Sequence, residues 1–239
     1  MVNEAGRRSL EAPVPNGSLS LAAKLYLLAW DPRTGRPADP DHLPYLVRAG
    51  ALTELAQRGM LADEDGVARP FADARTGDPA LDSLLELIFE SRPRAWQTWV
   101  RHHARLTERA VRDQLVTVGY VRAKGRRALG LLPVKEYELE RPDVVAGMRE
   151  DAVRLLRGGQ RVSEVSAGDA ALVALAAAGE LRTVVTAADA RAHKARIAEL
   201  ARRSGQVGPA LEKALGQVRS AVAVAVTGVT LSGTLAAAG

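Results

Sequence analysis

Leu46-Val47-Arg48-Ala49-Gly50-Ala51-Leu52-Thr53-Glu54-Leu55-Ala56-Gln57-Arg58-Gly59-Met60 is the stretch on which the fold reading turns. Leu46, Ala49, Leu52 and Leu55 or Ala56 recur at helical spacing, and Gly59 ends the run. The same period extends in both directions. Upstream, Leu21, Leu25, Leu27 and Leu28 predict a helix capped by Ser18 or Ser20. Downstream, helices are predicted over Asp82–Phe89, over Arg94–His103 and Arg105–Val118 as one or two pieces, and over Asp143–Arg157, Ala167–Ala178, Thr186–Arg202 and Pro209 onward. Gly158-Gly159, Gly179 and Ser204-Gly205 separate the later ones. Prolines 37, 40 and 44 read as a loose connection.

Two short extended segments interrupt the helices. Asp63-Glu64-Asp65-Gly66 reads as a hairpin turn. A second hairpin is predicted with strands Tyr120–Arg122 and Leu129–Leu132 around Lys124-Gly125-Arg126-Arg127. The expected fold class is mostly α: a single-domain helical core with amphipathic surrounding helices and one or two β-hairpins. Residues 1–17, polar and turn-rich, are expected to form a disordered N-terminal arm, and 18–239 the domain.

With 239 residues and 47% apolar content, the chain can bury a sizeable core, and wholesale disorder is excluded. Cysteine is absent, which excludes disulfides, thiolate metal sites and cysteine nucleophiles. No signal peptide is read at the N-terminus, because Lys24 breaks the first apolar run and no small-residue cleavage site follows it. Ser220–Gly239 is uncharged and about a bilayer span long, but rich in Ala, Thr and Gly. A buried helix with a frayed end is the preferred reading there, ahead of a tail anchor or an Ala/Val-alternating strand.

Catalytic patterns are missing from the sequence. The four histidines, 42, 102, 103 and 193, form no metal motif, and the adjacent pair would point about 100° apart on a helix. No nucleophile elbow or phosphate-cradling glycine loop occurs. The expectation is a non-enzyme with no cofactor and no metal.

Charge is the informative feature. The net charge is +5, and only five of the 33 cations are lysine, which points to a high-G+C, bacterial source and favours arginine forks suited to phosphate oxygens. Between Ser91 and Lys135 eleven cations face two carboxylates, Glu108 and Asp113. Arg101, Arg105, Arg109 and Arg112 fall on one helical face and repel one another unless an anion compensates. The following hairpin carries Arg122, Lys124, Arg126 and Arg127 on one strand and Leu129, Leu131 and Leu132 on the other. A basic surface beside apolar atoms suits an anionic phospholipid membrane. A helix with a basic wing equally suits DNA, so a winged-helix-like nucleic-acid-binding protein is the alternative reading.

Several segments together resemble the Golgi phosphoprotein 3 family, whose members are peripheral membrane proteins that bind phosphatidylinositol 4-phosphate. The segments are Leu19-Ser-Leu-Ala-Ala-Lys-Leu-Tyr-Leu-Leu28, Leu46 to Gly59, Thr76-Gly-Asp-Pro-Ala-Leu-Asp82, Pro93 with Trp99, Leu115-Val-x-x-Gly119, and Asp169 before an Ala/Leu-rich helix. The resemblance covers about residues 18–225. It implies a helical core with a protruding hairpin, here Arg122 to Leu132, used for membrane contact or homo-oligomer formation. It also implies a headgroup pocket. One pocket arginine falls on Arg48 and another on Arg105. A third falls on Glu108, with Arg109 beside it. A family tryptophan falls near Asp39, and the family's acidic pair in the first helix falls on Ala23 and Lys24. The site expected is therefore Arg48, Arg105 and Arg109. The implied function is peripheral binding of anionic phospholipid headgroups, phosphatidylinositol 4-phosphate among them, from the cytoplasmic side at the inner face of the membrane, with nucleic acid the less favoured partner.

Overall fold

The computed structural model describes residues 19–71, 74–128, 132–206 and 208–236, with side chains described except at 126–128, 132–135 and 228–236. Three helices that are apolar nearly all round form the centre. α1 (Leu21–Leu28) buries every residue but Lys24, α2 (Leu43–Gln57) buries twelve residues, and α7 (Ala167–Ala178) buries an unbroken run from Ala170 to Ala176. A helix without a polar face has to be surrounded. Around these lie α3 (Pro79–Glu90), α5 (Ala104–Thr117), α6 (Pro142–Arg157) and α9 (Lys194–Ser204), each burying only a stripe. α10 (Pro209–Ala236) crosses α4 (Trp96–Arg101), α2 and α7. The short α8 (Ala187–Ala192) precedes α9. Gly50 lets α1 and α2 touch: a Cβ there would stand 2.8 Å from Leu25 Cδ1 and 3.1 Å from the Ala22 Cα.

The Thr76–Asp82 segment is a helix-start device. Asp78 caps α3, its Oδ1 accepting from the backbone N–H groups of Ala80 at 2.9 Å and Leu81 at 3.0 Å. Asp82 reaches back to accept from both the N–H and the hydroxyl of Thr76, each at 2.7 Å. Gly77 takes φ +80° between them. Leu81 then sits fully buried. This reciprocal arrangement satisfies donors that the helix itself leaves unpaired.

Small antiparallel pairs fill the connections. β1 (Trp30–Asp31) pairs with β2 (Arg36–Pro37), and β3 (Leu61–Glu64) pairs with β4 (Val67–Pro70). β5 (Arg94–Ala95) adds to β4. The Asp65-Gly66 turn has φ of 52° and 86°, the double left-handed conformation that closes a two-residue hairpin.

The fold is mostly α, as the sequence predicts. Five details differ. α3 starts at Pro79 rather than Asp82, because Asp78 caps it. α2 starts at Leu43, because Pro44 occupies its first turn, where a missing N–H is harmless. The predicted Thr186–Arg202 helix breaks at His193 into α8 and α9. His102 and His103 lie at the corner between α4 and α5 rather than on a helix. The second hairpin has strands β6 (Val121–Ala128) and β7 (Leu132–Leu139), so Lys124–Arg127 is strand rather than turn. The reason is charge register: Arg122 lies opposite Glu138 and Lys124 opposite Glu136. Leu129 and Leu131 lie outside the described residues. The segment 209–236 is helical, not a strand, and among the described residues no helix is long and apolar enough to cross a membrane.

Candidate functional site

Arg48 lies on α2 among leucines and alanines, and its residue is 0% exposed. Its Nη2 donates to the His103 carbonyl at 2.7 Å, while Nε and Nη1 have no hydrogen-bond partner. Among the described residues no carboxylate pairs with it. Burial alone therefore draws its pKa down to about 10, which leaves it charged at neutral pH. A buried, uncompensated cation is an uncommon feature, because removing a charge from water is costly without a counterion.

The carbonyl that Arg48 holds belongs to a corner. α4 ends at Arg101, His103 takes φ +53°, and α5 begins at Ala104. No side chain caps α5. The start of a 14-residue helix thus carries no acidic residue of its own in its first turn to offset its positive end. Further cationic and aromatic groups gather at the corner. The His102 ring lies 5.5 Å from Trp99 and 4.1 Å from His103, and the Arg94 guanidinium lies 6.0 Å from the Trp99 ring. Burial first, then the charges of Arg94, His103 and Arg48, lower the His102 pKa.

Arg105 and Arg109 are exposed on the outer side of α5. Arg105 Nη2 lies 3.9 Å from the Asp41 carboxylate, and Arg109 has no ion pair among the described residues. Leu106, between them in sequence, is 52% exposed. Glu108 turns inward, half-buried, 3.3 Å from Arg112 Nη1. Burial raises its pKa against the opposing charges of Arg112, Arg109 and Arg105. Arg112 leaves the expected basic face: it pairs with Glu108 and Asp113 and lies 4.5 Å over the Tyr137 ring. Arg48 is thus buried against the His103 carbonyl, whereas Arg105, two residues further on, is exposed and turned to Asp41.

The hairpin is less basic than its first strand. Arg122 pairs with Glu140 at 2.6 Å and Glu138 at 3.6 Å, and Lys124 pairs with Glu138 at 2.6 Å. Arg126, Arg127 and Leu132 have their backbones in the strands, with side chains outside the description. Trp99, Arg94 and His102 are corner residues that site reasoning from sequence missed. The signal available was their position inside the basic segment. Among the described residues, no cluster of three or more His, Asp or Glu could hold a metal ion.

A helical core carrying an uncompensated arginine under a bare helix start, flanked by exposed arginines, defines a helical domain with a cationic corner. The family model described as Golgi phosphoprotein 3 (GPP34) matches residues 21–218, and the chain belongs to that family. Comparison with curated proteins finds no match.

Proposed function

We propose that this protein is a non-catalytic peripheral membrane protein that binds anionic phospholipid headgroups, phosphatidylinositol 4-phosphate among them, at the start of α5. The family is not a known enzyme family, and its membership favours a membrane-directed role. The observation that carries the reading is Arg48, a wholly buried cation with one carbonyl partner and no carboxylate among the described residues. Its charge adds to the positive end of α5 in a medium that screens it little. Arg105 and Arg109 supply surface forks for phosphate oxygens, and exposed Leu106 supplies an apolar contact beside them. Glu108, drawn to Arg112, is directed away from this surface. The carboxylates of β7 weigh against nucleic acid, since Glu136 and Glu138 lie opposite the basic strand that a DNA-binding wing would need. The hairpin remains the candidate for membrane contact or homo-oligomer formation, through Arg126, Arg127, Leu129, Leu131 and Leu132. The proposed location is cytoplasmic, at the inner face of the membrane.

Vesicle co-sedimentation tests this. Phosphatidylcholine vesicles containing phosphatidylserine or phosphatidylinositol 4-phosphate should retain the protein, and phosphatidylcholine alone should not. Each surface arginine near an anionic bilayer contributes about 1 kcal/mol. Arg105→Ala with Arg109→Ala should therefore weaken binding about 30-fold. Equal binding to neutral vesicles, or an unaffected double variant, overturns the reading.

A further inference from the structure

Phe71 and Phe89 are the only phenylalanines of the chain, and they are 55% and 66% exposed. Both line one hollow of about 280 Å³, where the second half of α3 meets the segment that follows β4. Single exposed apolar side chains are ordinary on a protein surface, but two phenyl groups sharing a hollow form a patch of the kind that marks an interaction surface. The volume falls just short of the usual range for small organic ligands and suits one aliphatic side chain.

The rim of this hollow is acidic. Arg75 offsets Asp82, which also accepts from the Thr76 and Gly77 backbone N–H groups. Glu86 and Glu90 remain, exposed and without an ion pair among the described residues. They stand one turn apart on α3 and repel each other.

The first turns of α5 carry the opposite arrangement. Arg105 and Arg109 stand one turn apart, both exposed, with the exposed Leu106 beside them. Asp41 offsets part of the Arg105 charge from 3.9 Å, and Arg101, exposed at the end of α4 with no ion pair among the described residues, adds to it. Each face is therefore a like-charged pair at i and i+4 with an exposed apolar side chain next to it, acidic on α3 and basic on α5. Within one chain both faces are open to solvent and do not meet.

We propose that these two faces bind each other between copies of this chain: Leu106 of one molecule seats in the Phe71–Phe89 hollow of a second, with Arg105 and Arg109 against its Glu86 and Glu90. The contact joins two different patches, so it is heterologous and either closes into a ring or propagates. It is separate from any contact through the hairpin. Exposed ion pairs contribute little to affinity. The apolar insertion holds the copies together, and the charges choose the partner and the register. One consequence rests on the membrane reading above: a molecule whose α5 start is covered by another copy cannot present it to a bilayer, so self-association and vesicle binding compete.

Sedimentation velocity on the full chain without lipid tests the contact independently of that reading. The parent should show concentration-dependent association in low salt that high salt weakens. Glu86→Arg with Glu90→Arg should be monomeric alone, and so should Arg105→Glu with Arg109→Glu. An equimolar mixture of the two should associate, because the reversed faces fit each other again. Phe89→Ser, which changes no charge, should weaken association by about tenfold or more. All five positions are exposed, so the core is untouched. If a charge-reversed variant fails to fold, Phe89→Ser decides alone. The proposal fails if the parent stays monomeric up to about millimolar concentration, if either reversed variant or Phe89→Ser associates like the parent, or if the mixture stays monomeric. Absence of vesicle binding with this self-association intact counts against the membrane reading and not against the contact.

Discussion

Replacing Arg48 by methionine separates a binding role from a structural one, because the two predict opposite signs in stability. Burial draws the guanidinium from above ~12 to about 10. At about 1.4 kcal/mol per pKa unit, keeping it charged at pH 7 costs the fold on the order of 3 kcal/mol. That penalty is full below pH 10 and lifts as pH rises beyond it, because the folded side chain then sheds a proton that the unfolded chain retains. Methionine fills similar space without charge. It forfeits one charged hydrogen bond, worth about 1.5–3 kcal/mol. The His103 carbonyl is not orphaned, since it also accepts the Leu106 N–H at 2.9 Å. The balance is neutral to about 1 kcal/mol stabilising, so Tm should hold or rise by about 2–4 °C in a chain of this size. Anionic vesicle binding should meanwhile fall about tenfold, the loss of roughly 1.4 kcal/mol from the α5 start. Calorimetry at pH 7 and vesicle co-sedimentation on the same preparation read both. A Tm drop of more than about 5 °C would refute the ledger and make Arg48 a strut of the α4–α5 corner.

Other outcomes follow from packing and charge. Gly50→Ala should lower Tm despite alanine's better helix propensity, because its Cβ meets the Ala22 backbone at 3.1 Å; Gly147→Ala, in open space on α6, should raise stability by about 0.5–1 kcal/mol, and thermal melts compare the two. Asp63→Ala removes the acceptor of the Trp96 indole N–H, bonded at 2.7 Å and fully buried, and should cost about 1–3 kcal/mol by urea unfolding. Raising salt should release the protein from anionic vesicles, since exposed charges are screened over about 8–10 Å at physiological ionic strength. Retention at high salt would point to apolar contact as the main force.

The helical frame is legible because its central helices leave little room for another reading. In Leu21–Leu28 and Ala167–Ala178 apolar residues dominate the run, and Ser20 and Ser166 mark the starts as side-chain caps. The Thr76–Asp82 cap is equally local, its hydrogen bonds spanning no more than six residues, yet the sequence reading starts that helix at Asp82 and takes the motif only as a family likeness. The second hairpin is not legible, because its register depends on what lies across the sheet. Counting charge only as far as Lys135 stops one residue short of Glu136, and Glu138 and Glu140 are the partners that neutralise Arg122 and Lys124. A linear window records basic density; it does not record which carboxylates the pairing brings opposite. Arg112 shows the same limit on a helix, where Glu108 one turn earlier and Tyr137 from another element remove it from the expected face.

Arg48 carries the opposite lesson. Nothing in Leu46–Met60 distinguishes a buried arginine from one that snorkels to the surface, since either fits a helix whose other residues are mostly apolar. Only the tertiary packing makes it fully buried, with no carboxylate paired to it among the described residues. That combination changes what the residue can do. An exposed arginine grips a headgroup oxygen directly. A buried one acts through the His103 carbonyl and the first turn of α5, setting both the corner's geometry and its charge. Arg48→Lys should therefore behave unlike a conservative change. Lysine places its charge on one nitrogen and loses the fork that lets Nη2 reach His103 at 2.7 Å. A buried lysine also gives up its proton more readily than arginine. The variant should bind anionic vesicles more weakly than the parent, and raising the pH from 7 to 9 should widen the gap as the lysine neutralises. A constant ratio between the two proteins across that range would mean that the charge of residue 48 does not reach the membrane-facing side of the corner.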